Sequence, residues 1–210
     1  MTVRKKDMRD IAILVFDGFE PLDVFGPAEV FGCIRRIHDT ADAPEIRYYS
    51  LAGGTVHGAI GTDIVTRALD DAPDKDVLLI PGGPGTRSLV KDAVFLEALR
   101  RQLPRFSRIL TVCTGSALLA ATGTIDGRKA TSNKRAFTWV KSVRPEVKWV
   151  AHARWVEDGN LTSSSGVSAG TDMALSVVAK AYGDEFARTL AAAIEYVWND
   201  DPSDDPFAAL

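Results

Sequence analysis

Two side chains in this sequence could do chemistry together: the thiol of Cys113 and the carboxyl of Asp23. Cys113 lies in Arg108-Ile-Leu-Thr-Val-Cys-Thr-Gly-Ser-Ala-Leu-Leu-Ala-Ala, which reads as a buried strand, a sharp turn and a helix start. Ile109 to Val112 is the strand, Thr114 to Ser116 the turn and cap, and Ala117 to Ala121 a strong helix former. A thiol at that corner sits beside unpaired helix amides and the positive end of the helix dipole. Both favour the thiolate, which is the nucleophilic form. The serine counterpart of this geometry is the strained nucleophile elbow of hydrolases. Free cysteines are often just small buried hydrophobes, but core packing has no need of a glycine-containing turn directly after one.

Asp23 falls in Glu20-Pro-Leu-Asp-Val-Phe-Gly-Pro, just after the first strand. An acid there is commonly a helix cap. If it instead points across the strand ends to Cys113, it can give or take a proton. Beside a thiolate its pKa would rise, because like charges disfavour joint ionisation, so the expected pair is a protonated carboxyl against a thiolate. Glu20 is the local competitor for that role. Pro81-Gly82-Gly83-Pro84-Gly85 also follows a strand. The N–H groups of Gly83 and Thr114 could form an oxyanion-hole-like donor pair. The plainer reading is a βα turn, which favours the same residues. No Lys-Ser/Thr follows, so a phosphate cradle is weaker still. His38, His57 and His152 read as surface or structural, Cys33 as a helix packing residue, and no metal-ligand spacing occurs.

These residues need elements to position them. Ile11 to Phe16 is a continuous apolar run suited to a parallel strand buried on both faces. A helix over about Val24 to Ile37 follows, then a strand from Glu45 to Leu51 and a hairpin around Thr55 to Arg67. Asp76 to Ile80 is another buried strand, Ala93 to Leu103 a helix, and Asn133 to Val143 helical. Trp149 to Glu157 and Leu161 to Ser164 make a second hairpin, and helices over Ser168 to Ala181 and Asp184 to Trp198 close the domain. This alternation predicts an α/β fold: one three-layer α/β/α sandwich on a mainly parallel sheet. Ligands bind outside the carboxyl ends of strands in such sheets. Asp17 to Asp23, Pro81 to Gly85 and Cys113 to Gly115 all fall there.

At 210 residues, 46% hydrophobic and 25% charged, the chain has ordinary globular composition and reads as a single domain over 1–198. Residues 199–210 form an acidic, proline-broken tail expected to extend over the surface. The net charge of -3, without a basic stripe, argues against nucleic acid as a main partner. No apolar run approaches the ~20 residues that span a bilayer. Two cysteines and a charged start without an apolar signal core imply a cytoplasmic protein, in which a Cys33–Cys113 disulfide is not expected.

In order along the chain, Ile-Leu-Val-Phe-Asp-Gly-Phe with Leu22 to Pro27, Leu79-Ile-Pro-Gly-Gly, Val112-Cys-Thr-Gly-Ser, Gly127-Arg-Lys-Ala-Thr and Ser165 to Leu175 resemble the ThiJ/PfpI superfamily. The match runs from about Ile11 to Ala193 and is closest to the isonitrile hydratase branch. The resemblance implies a flavodoxin-like, class I glutamine amidotransferase-like fold and a homodimer. It makes Cys113 the nucleophile, Asp23 the acid, and Gly83 and Thr114 the backbone donors, with Gly82, Asn133 and Gly166 as pocket residues. The reaction it implies needs no metal or organic cofactor: thiolate attack on an isonitrile carbon, protonation by Asp23 and hydration to an N-substituted formamide. One departure is visible. Thr131-Ser132-Asn133 stands where many members carry Thr-Thr-His, and Asn cannot act as a base near neutral pH. The alternatives are a glyoxalase or deglycase acting on α-oxoaldehydes, which the missing His disfavours, and a cysteine-based sensor of oxidative stress. A regulator fused to a DNA-binding module is disfavoured by the chain stopping at Leu210.

Overall fold

The computed structural model describes residues 8, 10–37, 43–73 and 75–208. The apolar run after Asp10 forms β1 (Asp10–Leu14), buried beyond its first residue. β2 (Glu45–Ser50) and β5 (Lys75–Ile80) pair with it in parallel on either side. β6 (Phe106–Thr111) pairs in parallel with β5, and β10 (Leu161–Ser164) in parallel with β6. The hairpin of β3 (Gly54–His57) and β4 (Asp63–Ala68) closes one edge, and β9 (Trp155–Asp158), antiparallel to β10, closes the other. The order of the eight-stranded sheet is β3-β4-β2-β1-β5-β6-β10-β9.

Helices flank the sheet in two groups. α1 (Pro21–Ile37), α6 (Ala169–Tyr182) and α7 (Asp184–Ala193) pack together. α4 (Gly115–Ala121) packs with α2 (Thr86–Leu89) and α5 (Phe137–Val143), and α3 (Ala93–Gln102) lies between β5 and β6 in sequence. Asp92 caps α3 by accepting from the N–H groups of Val94 and Phe95. The core is the apolar interior of β1, β5 and β6 with the inner faces of these helices, including Ile11, Ile13, Leu78, Leu79, Leu110, Leu118 and Val177. The α/β reading with a mainly parallel sheet therefore holds.

Several boundaries differ from the sequence reading. α1 begins at Pro21 rather than Val24, which places Asp23 inside its first turn. Residues 133–136 form a turn, so α5 starts at Phe137 rather than Asn133. Trp149 does not join the second hairpin; β8 (Lys148–Trp149) pairs in parallel with β7 (Lys129–Ala130) as a separate ribbon. α7 stops at Ala193, and the next residues turn back toward α6.

Residues 200–204, 206 and 207 of the acidic tail are exposed, and the tail is tied down at two points. The Pro202 carbonyl accepts the Arg154 N–H at 2.8 Å, and Asp205 is buried against Lys134 at 3.3 Å. The Asp205 carboxylate balances the buried Lys134 ammonium, which is why this one tail residue turns inward. Cys33 packs within α1 and Cys113 lies at the strand ends; both are free thiols. Among the described residues no helix is long and apolar enough to cross a membrane.

Candidate active site

Four neighbouring parallel strands, β1, β5, β6 and β10, deliver their following loops to one edge of the sheet. Cys113 follows β6 with φ 56, a left-handed conformation that a non-glycine residue holds only under constraint. The constraint is on its backbone. Its N–H donates to the Ser165 carbonyl at 3.1 Å, and its own carbonyl accepts the hydroxyls of Ser132 at 2.8 Å and Ser116 at 3.0 Å. The strained elbow expected from the sequence is present, held by two serines that the sequence did not single out.

Asp23 is completely buried. It does not cap its own helix. Its Oδ2 accepts the Gly82 N–H at 2.8 Å across the site. Oδ1 has no hydrogen bond of ordinary geometry among the described residues, and the Cys113 thiol is near enough for the two groups to shift each other's proton affinity. Burial pushes the Asp23 carboxyl up to about 7; the Gly82 N–H works against this and the charge of Glu20 adds to it. Burial also pushes the Cys113 thiol up, and the Asp23 charge pushes it further. The N–H groups of Thr114 and Val167 directed at the sulfur pull it down without offsetting the burial. Burial raises the proton affinity of both groups, so the pair competes for one proton. In a site this dry two negative charges side by side are disfavoured, so one proton is held between the carboxyl and the sulfur.

The backbone donors are redistributed relative to the sequence reading. Thr114 does present its N–H to the sulfur, but the second donor is Val167, from the loop after β10. Val167 also holds a left-handed φ of 46. Gly83, with φ 129, gives its N–H to Thr114 Oγ1 at 3.0 Å and so braces the loop instead of facing the sulfur. Gly82 is buried behind the site and serves as the carboxylate's donor. A Cβ at Gly82 would lie 2.5 Å from Thr114 N and 2.9 Å from Asp23 Oδ2, so the close approach of these loops requires glycine there.

A cavity of about 330 Å³ opens over the sulfur, with Glu20, Gly83, Arg87, Cys113, Asn133 and Val167 in its wall. Arg87 stacks on the Trp139 ring, 3.5 Å from its centroid. Asn133 is in the wall, as expected, but its Oδ1 is occupied by the Ala136 N–H at 3.1 Å, which turns the chain into α5. Gly166 lies against the Asn133 amide: a Cβ there would be 2.2 Å from Nδ2. Neither His57, paired with Asp63 at 2.8 Å on the surface, nor His152 is in that wall, and His38 lies outside the described residues. Among the described residues no three His, Cys, Asp or Glu side chains converge as metal ligands would. What the arrangement can do is add a sulfur to an electrophilic carbon and move one proton.

Behind the β10 loop lies a second buried polar cluster that the sequence reading missed. Arg154 donates to Asp172 Oδ2 through Nε at 2.6 Å and Nη2 at 2.5 Å. Asp172 Oδ1 accepts from the Tyr196 hydroxyl and the Asn199 N–H, each at 3.0 Å. The Arg154 carbonyl accepts the Ser165 N–H at 2.7 Å, so this cluster supports the peptide whose carbonyl holds Cys113. Asp172 stood inside the Ser165 to Leu175 motif, and its early position in a predicted helix was the one available signal.

Comparison with known proteins agrees with this fold. The profile of the DJ-1/PfpI family matches residues 9–180. An isonitrile hydratase from Pseudomonas putida is 29% identical over 191 residues, covering 89% of this chain and 78% of that protein. A deglycase from Thermococcus kodakarensis is 29% identical over 157 residues, covering 73% of this chain and 88% of its own length. The crystal structure of a ThiJ/PfpI family protein from Pseudomonas syringae superposes with a TM-score of 0.75 at 30% identity, covering 95% of this chain and 77% of that one.

Proposed function

The chain belongs to the DJ-1/PfpI family, and from that premise we propose that it is an isonitrile hydratase-like enzyme with Cys113 as nucleophile and Asp23 as its proton carrier. The observation that carries this reading is the buried Cys113–Asp23 pair beneath a cavity whose wall, among the described residues, holds Asn133 and no imidazole. Likeness to the Pseudomonas putida isonitrile hydratase supports it.

The proposed steps use the one proton that the pair shares. The Asp23 carboxylate takes the proton from Sγ as sulfur attacks the terminal carbon of R–N≡C. It then delivers that proton to the same carbon. The new S–C bond and the remaining C=N bond make a thioimidate. Water adds to that carbon and the S–C bond breaks; one water proton ends on nitrogen and the other returns the thiol. The sum is R–N≡C plus water to R–NH–CHO, with no change in oxidation balance. Covalent attack divides one hard addition into two easier ones. The N–H groups of Thr114 and Val167 hold the sulfur's developing charge.

The test is direct. Purified protein mixed with cyclohexyl isocyanide is followed for formation of N-cyclohexylformamide. The expected outcome is turnover that Cys113→Ala and Asp23→Asn each reduce at least about a thousandfold. Equal rates in wild type and Cys113→Ala overturn the reading. Consumption of methylglyoxal with no formamide formed points instead to the deglycase-like alternative, which the Thermococcus relative supports. We also propose a homodimer, which light scattering on the full chain tests.

A further inference from the structure

We propose that a second cavity behind Asn133 is a subsite for an uncharged, apolar substituent on the substrate, and that Phe207 is its specificity-determining wall. The proposal deepens the hydratase reading by naming what R is. The cavity has a volume of about 310 Å³, with Asn133, Gly166, Val167, Ser168 and Phe207 in its wall. Asn133 and Val167 line both cavities, so the two spaces share these residues as a common wall. Val167 is also the residue whose N–H points at the Cys113 sulfur. A molecule bonded to that sulfur thus has its reacting carbon on one side of Val167 and room for its substituent on the other.

The chemistry of the wall selects the substituent. Lys134 contributes to the wall, but its ammonium is spent elsewhere. It donates to Thr131 Oγ1 and the Ala153 carbonyl, each at 2.8 Å, and pairs with buried Asp205. The Asn133 carbonyl oxygen is occupied by Ala136. The remaining charged side chain, Arg135, is solvent-exposed. The apolar part of the wall is the Phe207 ring, half exposed, and Val167. Apolar surface left to a ligand in this way favours apolar groups over polar ones.

Phe207 is placed by a built device. Asp205 Oδ1 accepts the Phe207 N–H at 3.1 Å and the Asp205 carbonyl accepts the Ala208 N–H at 3.0 Å, forming a turn. The same carboxylate pairs with Lys134, the residue next to Asn133. The C-terminal tail is therefore anchored to the loop that separates the two cavities, and the aromatic ring is held over the space rather than trailing in solvent.

The test uses two product-shaped ligands, so it does not depend on turnover. Calorimetric titration of the full chain with N-cyclohexylformamide and N-methylformamide gives a ratio of affinities. In wild type we expect about a tenfold preference for the cyclohexyl compound. Phe207→Ala erases that ratio, and Phe207→Leu, which keeps an apolar wall, retains most of it. Circular dichroism checks that each variant is folded. A wild type with no preference, a Phe207→Ala variant that keeps the full ratio, or tighter binding of the carboxylate-bearing N-formyl-β-alanine overturns the proposal. Turnover of cyclohexyl isocyanide by wild type is measured alongside. Its absence with the preference intact sinks the hydratase reading and leaves the subsite standing.

Discussion

Asp23 works against the fold and for the chemistry, and pH separates the two. Its carboxyl is pushed up to about 7 by burial, against about 3.9 in an unfolded chain. Accepting the thiol proton requires the carboxylate, so kcat/KM for isonitrile hydration is expected to climb as pH rises through about 7. A pH–rate profile that is flat from 5 to 8 would contradict this. Stability runs the other way. The folded state binds the Asp23 proton more tightly, so the stability this group contributes is full below about pH 4 and is lost as pH rises through about 7. Asp23→Asn, neutral throughout, is expected to raise Tm at pH 8 by a few degrees and to change it little at pH 4, a difference that thermal melts at the two pH values read directly. Cys113, Asp23 and the change to Asn133 were legible in the sequence because their side-chain chemistry is unusual for their places. Ser116, Ser132 and Val167 were not, because Ser116 and Ser132 act on a backbone carbonyl and Val167 acts through a backbone N–H; for that purpose almost any residue type at position 167 would read the same.

At the scale of elements, the strands were easy to place and the helix ends were not. The apolar runs of β1, β5 and β6 are buried on both faces, and that leaves a continuous signature. α1 begins earlier than its apolar pattern because Pro21 is tolerated in a first helical turn, where its missing N–H is not needed. Asn133 to Ala136 carries helix-forming residues but is held as a turn by the Asn133 side chain and by Lys134, whose buried ammonium reaches back to Thr131. Local side-chain hydrogen bonds overrode helix preference there. The loops between these elements tolerate little. In Gly82→Ala the new methyl would meet Thr114 N at 2.5 Å and Asp23 Oδ2 at 2.9 Å. Those are backbone and buried carboxylate atoms, so the loops must part. The expected result is a loss of activity of about a hundredfold or more, since small misplacements at a reacting centre are costly. An alanine variant with wild-type kcat/KM would show that the loop spacing is not what positions the pair.

Across the whole molecule, the Arg154–Asp172 cluster ties α6, the β9–β10 edge and the C-terminal tail together. Removing one partner leaves a buried charge uncompensated. Asp172→Ala is therefore expected to cost about 3–5 kcal/mol in a denaturant titration, and a loss under 1 kcal/mol would show that the cluster is not structural. The inward turn of Asp205 was not legible in the acidic tail because composition records charge but not the cation it meets inside the fold.

The site also has a history within each molecule. Its parts come from the α1 start, the loop after β5, the loop after β6 and the loop after β10, so no short stretch of chain can assemble it. Pairings this distant in sequence form slowly. While they are forming, Cys113 lacks the burial it has in the native protein, and Cys33 lacks its place in α1. Each is then an ordinary reactive thiol. The hazard to this protein is consequently greatest during refolding rather than in the finished state: air or a mild oxidant present in that interval should trap crossed disulfides and sulfur oxides, and a reducing buffer should restore the yield.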